Sequence, residues 1–564
     1  MSQQIQNMID MQILERAELT PSFLSTFFLI PKVDGSFRPI FNLKQLNQFV
    51  QVKPFQLFSH FRVPTFLQDG DWLAKIDLSQ AYFHLNIAKE HRRFLRLSYN
   101  GELLQMTCLP FGLSSAPRIF ATLTNWIAEY LRRHNIRCVV YLDDFLLANQ
   151  SRYLLSHQVD FTVNILKRLG WIVNFDKSVL VPTQRLEFLG VTWDTILNTK
   201  SLSEPKCLTL RMALQQHITT GSWSLRQAQS LLGRLNFATF LIRRGRLHCR
   251  SMQYHSRFLP KHRPHRQVKI PDSVITDMKW WTMAASGSLP IHANPITHHL
   301  TTDASDIGWG AQIEETSISG QWTEVQQSWH VNLKELFAVH EAIVHAQNQL
   351  INSHVLLLTD NRTVVSYINK EGGTRSKTLL KLTRQILQVM DHLNMHLTAQ
   401  YFPGRYNCEV DALSRMKPCP EWHLQPLATR RIFQMWGTPE VDLFASKKAH
   451  VVARYVTLDI LDQDAVFHNA FCQQWKYNLA WVFPPPNLIP RVLSQLNTAK
   501  GHYILIAPRW EKVFWMADLQ RRSLQKPYRI PDIQQVLLDT VTGVHPPNVQ
   551  LIHLEAWLIL GGQR

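Results

Sequence analysis

Two aspartates stand side by side in CVVYLDDFLLA, residues 138 to 148. Apolar runs rich in Val, Leu, Tyr and Phe flank Asp143 and Asp144, and this pattern predicts two β-strands joined by a tight turn. Adjacent carboxylates at a turn repel one another, and a bound cation relieves the repulsion. A third acid, Asp77, closes the apolar run WLAKID upstream. Phosphoryl transfer to a hydroxyl uses two divalent ions about 4 Å apart, one at the attacking oxygen and one at the leaving oxygen. Mg²⁺ takes a few hard carboxylate oxygens together with substrate phosphates. Asp77 and Asp143 can bridge such an ion pair, with Asp144 in support. Tyr-x-Asp-Asp alone fixes only three residues, and an ordinary Asp-rich turn would also satisfy it.

A second set of acids lies downstream. HHLTTDASDIGWGAQI, residues 298 to 313, predicts a strand pair with Asp303 at its start. NLKELFAVHEAIVHAQ, residues 332 to 347, has helical periodicity and puts Glu335 in the first turn. VLLLTDNRTVVSYINK, residues 355 to 370, is an apolar strand ending at Asp360, and FPGRYNCEVDALSR, residues 402 to 415, supplies Asp411. Carboxylates from a strand, a helix start, a strand end and a later helix can converge on one metal pair that cleaves a phosphodiester with water. Four unrelated solvated acids are the plainer alternative.

The elements that must hold these residues need several cores, because 564 residues exceed what one core supports. Apolar residues make up 45%, enough for most of the chain to fold. Lys and Arg number 60 against 42 acids, a net charge of +18 that suits a polyanionic partner. The seven cysteines are scattered without a Cys-x-x-Cys pair. That spacing disfavours a zinc module or a disulfide scaffold and suits a reducing, intracellular setting, cytoplasm or nucleus. No apolar run is long enough to span a bilayer, and the polar N-terminus has no signal-peptide core. The first 200 residues alternate short β-rich runs with helical ones, and residues 205 to 285 read as helical, with a capping box at Ser224 and Gln227. Residues 241 to 270 carry nine Lys or Arg and no acid, a run suited to gripping phosphates. MKPCPEW is a predicted linker.

Five stretches occur in order: IPKVDGSFRPIFNLKQLN, KIDLSQAYFHLNI, LPFGLSSAPRIF, YLDDFLLA and RLEFLGVTWD. Together they resemble the successive motifs of retroelement reverse transcriptases, over about residues 20 to 260. The acids of residues 296 to 416 resemble, in order and context, the ribonuclease H domains of retroelements. This resemblance implies a right-hand polymerase of fingers and palm (residues 1 to 204) and a basic thumb or connection (205 to 294). A ribonuclease H-like domain (295 to 417) and a C-terminal α/β unit (418 to 564) follow. The fold class expected is multidomain α+β and α/β.

By position, the resemblance makes Asp77, Asp143 and Asp144 the metal-binding carboxylates of an RNA-directed DNA polymerase. Lys32 and Arg38 would hold the incoming deoxynucleoside triphosphate. Tyr82 would act as a gate whose ring collides with a ribose 2′-hydroxyl. Phe111 and Gly112 would pack under base and sugar, and Lys177 would protonate leaving pyrophosphate. Asp303, Glu335, Asp360 and Asp411 would hold the metals of an RNA–DNA hybrid ribonuclease. Each site would take two Mg²⁺, with Mn²⁺ as a substitute. RNA template, DNA primer and hybrid are the partners implied, with no membrane. Asn42 stands where retroviral enzymes often carry Asp, and the His that those enzymes keep before the last acid is absent from GRYNCEVD. A decayed or host-adopted copy that only binds nucleic acid is the alternative, and the full acid sets argue against it.

VDLFAS, WVFPPPNLI and YILIAPRW resemble the strand ends of the phage-type adenine-N6 methyltransferase-like domain that follows ribonuclease H in DIRS-like, gypsy-related retrotransposons. That family usually relies on a separate tyrosine recombinase. Asp442 could meet a cofactor ribose, but Phe483 occupies the place of the residue that accepts a hydrogen bond from the target amine. Methyl transfer from S-adenosylmethionine is therefore not expected of this degenerate unit.

Overall fold

The computed structural model describes residues 2–31, 37–417, 421–510, 513–540, 543–546 and 549–562. The chain divides into two compact units, Met1–Ala293 and Asn294–Arg564. Both mix helices with sheets.

The centre of the first unit is a four-stranded antiparallel sheet in the order Arg137–Tyr141, Asp144–Asn149, Trp72–Leu78, Val173–Thr183. The two middle strands, FLLA and, Lys75 apart, LAKI, are apolar on both faces, and one of those faces packs in a core with helices Ala116–Arg133 and Arg152–Arg168. Phe120, Phe145 and Leu147 are fully buried there, and each contributes about 1.5–3 kcal/mol of burial. Strands Thr26–Pro31 and Phe37–Asn42 form a separate hairpin-like pair.

A second antiparallel sheet joins Arg185–Phe188, Val191–Asp194, Thr199–Leu202 and Ser288–Pro290. It shares a core with helices Glu204–Thr220, Leu225–Ala238, Arg250–Ser256 and Asp272–Ala284, around buried Trp193, Trp223 and Trp281. The Ser224–Gln227 capping box is formed in both directions. The region is not wholly helical, since Ser222–Trp223 pairs with Val268–Lys269.

The second unit holds two five-stranded sheets. The first runs Thr316–Gln321, Gly308–Ile313, His298–Ala304, His354–Thr359, His396–Tyr401. Its first three strands are antiparallel and its last two parallel to His298–Ala304. HVLLLT is buried along nearly its whole length, as a central parallel strand should be. The other sheet runs Val441–Asp442, Lys476–Val482, Lys500–Pro508, Leu554–Leu560, Tyr528–Arg529, parallel in its first three strands and antiparallel thereafter. Of the expected linker, residues 418–420 lie outside the described residues. Among the described residues no helix is long and apolar enough to cross a membrane.

Candidate active sites

The first acid group is placed by strand register. Asp77 and Asp144 are cross-strand partners on the two middle strands. The adjoining hairpin turns in two residues, Leu142 and Asp143, between paired Tyr141 and Asp144. Leu142 takes a φ of 52°, the left-handed region that a two-residue hairpin demands and that costs a non-glycine residue about 1–2 kcal/mol. The turn is pinned where Leu78 donates its N–H to the Asp143 carbonyl at 3.0 Å, and Asp77 donates its N–H to Ser178 Oγ at 3.0 Å.

Burial first, then the charge of Asp77, raises the Asp143 carboxyl above its ordinary range, while Lys177 and Lys75 oppose the shift. Asp144 is pushed up to about 6, again chiefly by burial, with Asp143 and Asp77 adding to it and Lys75 resisting. Three acids brought together in this way form a donor set suited to a hard divalent cation. Lys177 lies exposed on the Val173–Thr183 strand. Lys75 is a contributor that sequence patterning passed over; it sits two residues before Asp77, on the same face of the strand.

Tyr82 is buried in a short 3₁₀ turn, Ala81–His84. Its ring lies 4.7 Å from Phe111 and 5.1 Å from Phe120, and its phenol is raised by burial and then by Asp143. Gly112 adopts a φ of 102°, and a Cβ there would stand 3.0 Å from the Phe41 carbonyl oxygen. Asn47 Nδ2 donates to the Gly112 carbonyl at 2.9 Å. Arg38 falls on the Phe37–Asn42 strand. Lys32 lies outside the described residues.

The second group comes from separate elements. Ligand oxygens of Asp303, Glu335 and Asp360 all lie within 4.8 Å of one another. Asp303 is the penultimate residue of the His298–Ala304 strand rather than its start, Glu335 is the fifth residue of helix Val331–His345, and Asp360 directly follows strand His354–Thr359. Asp411 stands outside that trio on helix Cys408–Ser414, its carboxylate accepting both bonds from Arg415 Nε at 2.9 and 3.0 Å. Gly310 explains how this helix comes close. It is the cross-strand partner of Asp303, and a Cβ there would lie 2.7 Å from Leu413 Cβ and from the Val410 carbonyl oxygen. The helix rests where that side chain would be, and Ser414 Oγ reaches Asp303 Oδ2 at 2.8 Å.

Burial, then Asp303 and Asp360, pushes Glu335 up to about 9, and its Oε2 is buried without a partner. Asp303 rises to about 6, mainly by burial against the Ser414 hydrogen bond, with Asp360 and Asp411 adding to the rise. Asp360 is raised by burial and by Asp411. The crowded, partly unpartnered carboxylates suit a divalent cation. Ser414 and Arg415 were the neighbours that patterning missed, although i+3 and i+4 spacing from Asp411 places them on its helix face.

In the C-terminal sheet, Asp442 is fully buried, and its carboxylate accepts the N–H groups of Phe444 at 3.2 Å and Val451 at 3.1 Å. Each carboxylate oxygen thus meets one backbone N–H of the following loop. Burial raises this carboxyl to about 8.

Two stretches of the chain match family models, one of reverse transcriptase type and one of RNase H type. Residues 30–193 match the family described as reverse transcriptase (RNA-dependent DNA polymerase), and residues 296–390 match the RNase H-like domain found in reverse transcriptase. Among curated proteins, the chain is 24% identical over 415 residues to the Transposon Tf2-3 polyprotein and 23% identical to the Transposon Tf2-7 polyprotein, both of Schizosaccharomyces pombe. Each match covers 69% of this chain and 28% of the relative, so the chain spans just over a quarter of the length of these polyproteins. Among solved structures it is similar to the foamy viral protease-reverse transcriptase in complex with dsDNA, at 18% identity and a TM-score of 0.47, over 71% of this chain and 82% of that one.

Proposed function

We propose that the chain copies retrotransposon RNA into DNA and degrades the RNA strand of the resulting hybrid. One observation carries this reading: Asp77 pairs across strands with Asp144 in a half-buried acid group, and Asp303, Glu335 and Asp360 bring ligand oxygens within 4.8 Å of one another. Mg²⁺, or Mn²⁺ in its place, would be held by Asp77, Asp143 and Asp144 in one site and by Asp303, Glu335, Asp360 and Asp411 in the other. When bound, such a pair activates the attacking oxygen and neutralises charge on the leaving one.

The protein's own groups bind and orient the reactants. Lys32 and Arg38 hold the triphosphate as point charge and fork, Phe111 and Gly112 support base and sugar, and Tyr82 excludes a 2′-hydroxyl. Lys177 delivers a proton to leaving pyrophosphate. The product hybrid is read by shape and backbone, and cleavage in the second site frees the DNA copy. RNA template, DNA primer and deoxynucleoside triphosphates are the implied partners, in the cytoplasm or nucleus.

The order fingers and palm (1 to 204), thumb (205 to 294), ribonuclease H (295 to 417) and degenerate methyltransferase-like unit (418 to 564) favours a DIRS-like, gypsy-related element that uses a separate tyrosine recombinase for integration. Primer extension on a primed RNA template with Mg²⁺ tests the proposal. Extension by the wild type, and its loss in Asp143→Asn, are expected; a wild type that extends no primer on RNA or DNA would refute it.

A further inference from the structure

In the second unit, the supports of Asp360 and Asp411 are packed from the C-terminal side. Leu356 and Leu358 lie on one face of strand His354–Thr359, which ends one residue before Asp360. Both are 1% exposed. They share a buried cluster with Phe402 and Tyr406, and with Trp481, Ile504 and Ile506 of the C-terminal sheet. The two sheets of this unit are therefore joined by one core.

The stretch from Phe402 to Tyr406 is where that core reaches the acids. Phe402 donates its N–H to the Thr359 carbonyl at 2.9 Å, next to Asp360. Gly404 comes so close that a Cβ there would stand 2.5 Å from Asp360 Oδ2. Asp411 follows on helix Cys408–Ser414 and adds to burial in raising the Asp360 carboxyl. The seat of this stretch thus governs the spacing of the two acids.

Trp510 supplies the seat. It stands just beyond strand Lys500–Pro508 of the C-terminal sheet. Its ring centre lies 5.4 Å from those of Phe402 and Tyr406, so one indole packs on both ends of the stretch, with Gly404 between them. Trp515 stands behind the indole at 6.0 Å. Aromatic pairs at such distances favour few orientations, so the contact restrains position as well as burying surface. A second brace acts on the helix. Asn487 Nδ2 donates to Gln312 Oε1 at 2.8 Å, and Gln312 hydrogen-bonds the Glu409 carboxylate, two residues before Asp411. Carboxylates that ligate metal depend on outer contacts for orientation, and losing one costs about 10–100-fold in metal affinity.

We propose that Trp510 is a positioning residue for the second acid cluster. By seating Phe402 and Tyr406 it holds Gly404 against Asp360 and sets the spacing of Asp360 and Asp411 for a divalent cation. The C-terminal unit thereby takes part in hybrid cleavage without needing a ligand of its own. This rests on the metal-binding reading of that cluster given above.

Titration of the full chain with Mn²⁺, the free ion being followed by electron paramagnetic resonance, provides the test. A parent carrying Asp143→Asn and Asp144→Asn lacks ligands of the first cluster, so its tight binding reports the second. Added to that parent, Trp510→Ala should weaken binding by about tenfold or more. Trp510→Phe keeps a ring and should stay within about threefold of the parent. An indole that only stabilises the fold would lower the melting temperature and leave the affinity of the folded chain unmoved. Equal affinity in the Ala and Phe variants therefore overturns the proposal. If a melting curve shows the Ala variant unfolded, Trp510→Leu takes its place under the same criterion. A parent that binds no Mn²⁺ tightly refutes the metal reading and this proposal together; tight binding that survives Trp510→Ala refutes this proposal alone.

Discussion

The two acid clusters reach similar composition by different means. Around the hairpin, Asp77 and Asp144 are fixed by the hydrogen-bonded register of neighbouring strands, and Lys75 and Lys177 temper the charge. In the second unit, four elements converge, Asp303, Glu335 and Asp360 crowd within 4.8 Å, and the charges acting on Glu335 are both acidic. Backbone pairing sets the Asp77 and Asp144 side chains within hydrogen-bond reach of each other. Packing of separate elements crowds the second group as well, and there protonation or a cation relieves the repulsion.

The largest expected effect separates the clusters. Asp360→Asn should lower hybrid cleavage by on the order of 10²–10³-fold or more and leave primer extension intact, while Asp143→Asn should do the reverse. Gel assays of both activities on both variants suffice, and two variants that keep both activities would dissolve the distinction.

Next comes pH. The folded Glu335 value of about 9 lies above its ordinary 4.5, so the fold binds a proton there that the unfolded chain releases. Stability from that proton is complete below pH 4.5 and is lost as pH rises towards 9. In chelator, the transition of the second unit should therefore melt at lower temperature at about pH 8 than at about pH 6. Added Mg²⁺ should raise it more at the higher pH, by about 2–4 °C per kcal/mol. Calorimetry that finds the same Mg²⁺ effect at both values would remove the charge crowding as its cause.

Tyr82→Ala probes a core residue proposed above as a gate. Loss of its contacts with Phe111 and Phe120 should cost about 3–5 kcal/mol, seen in denaturant unfolding, and ribonucleotide incorporation should rise about tenfold or more. Unchanged selectivity would leave Tyr82 a packing residue alone. The smallest effect is that of Lys75→Met. Its loss removes the charge that holds down Asp143 and Asp144, so the acid limb of the pH profile for DNA synthesis should move up by about half a unit to one unit, with hybrid cleavage unmoved. A shift in both profiles would show that the lysine acts on more than its own cluster.

Much of this was legible in residue order. Alternating and apolar runs marked the hairpin at Leu142–Asp143, the strand before Asp360 and the helix bearing Glu335, because periodicity follows directly from which face is buried. The Ser224 capping box was readable for a similar local reason. Long-range approach was not. Gly310 makes room for the Asp411 helix only because strand pairing sets it opposite Asp303. Asp442 looked available for a ligand, yet the loop from Phe444 to Val451 folds its N–H groups onto it.

The chain by itself determined which acids exist and which elements carry them, since those depend on residue type and local period. Tertiary structure alone decided how near the acids stand and which lysines and hydroxyls moderate them. Distances between residues far apart in sequence arise from packing and register, which no local pattern encodes.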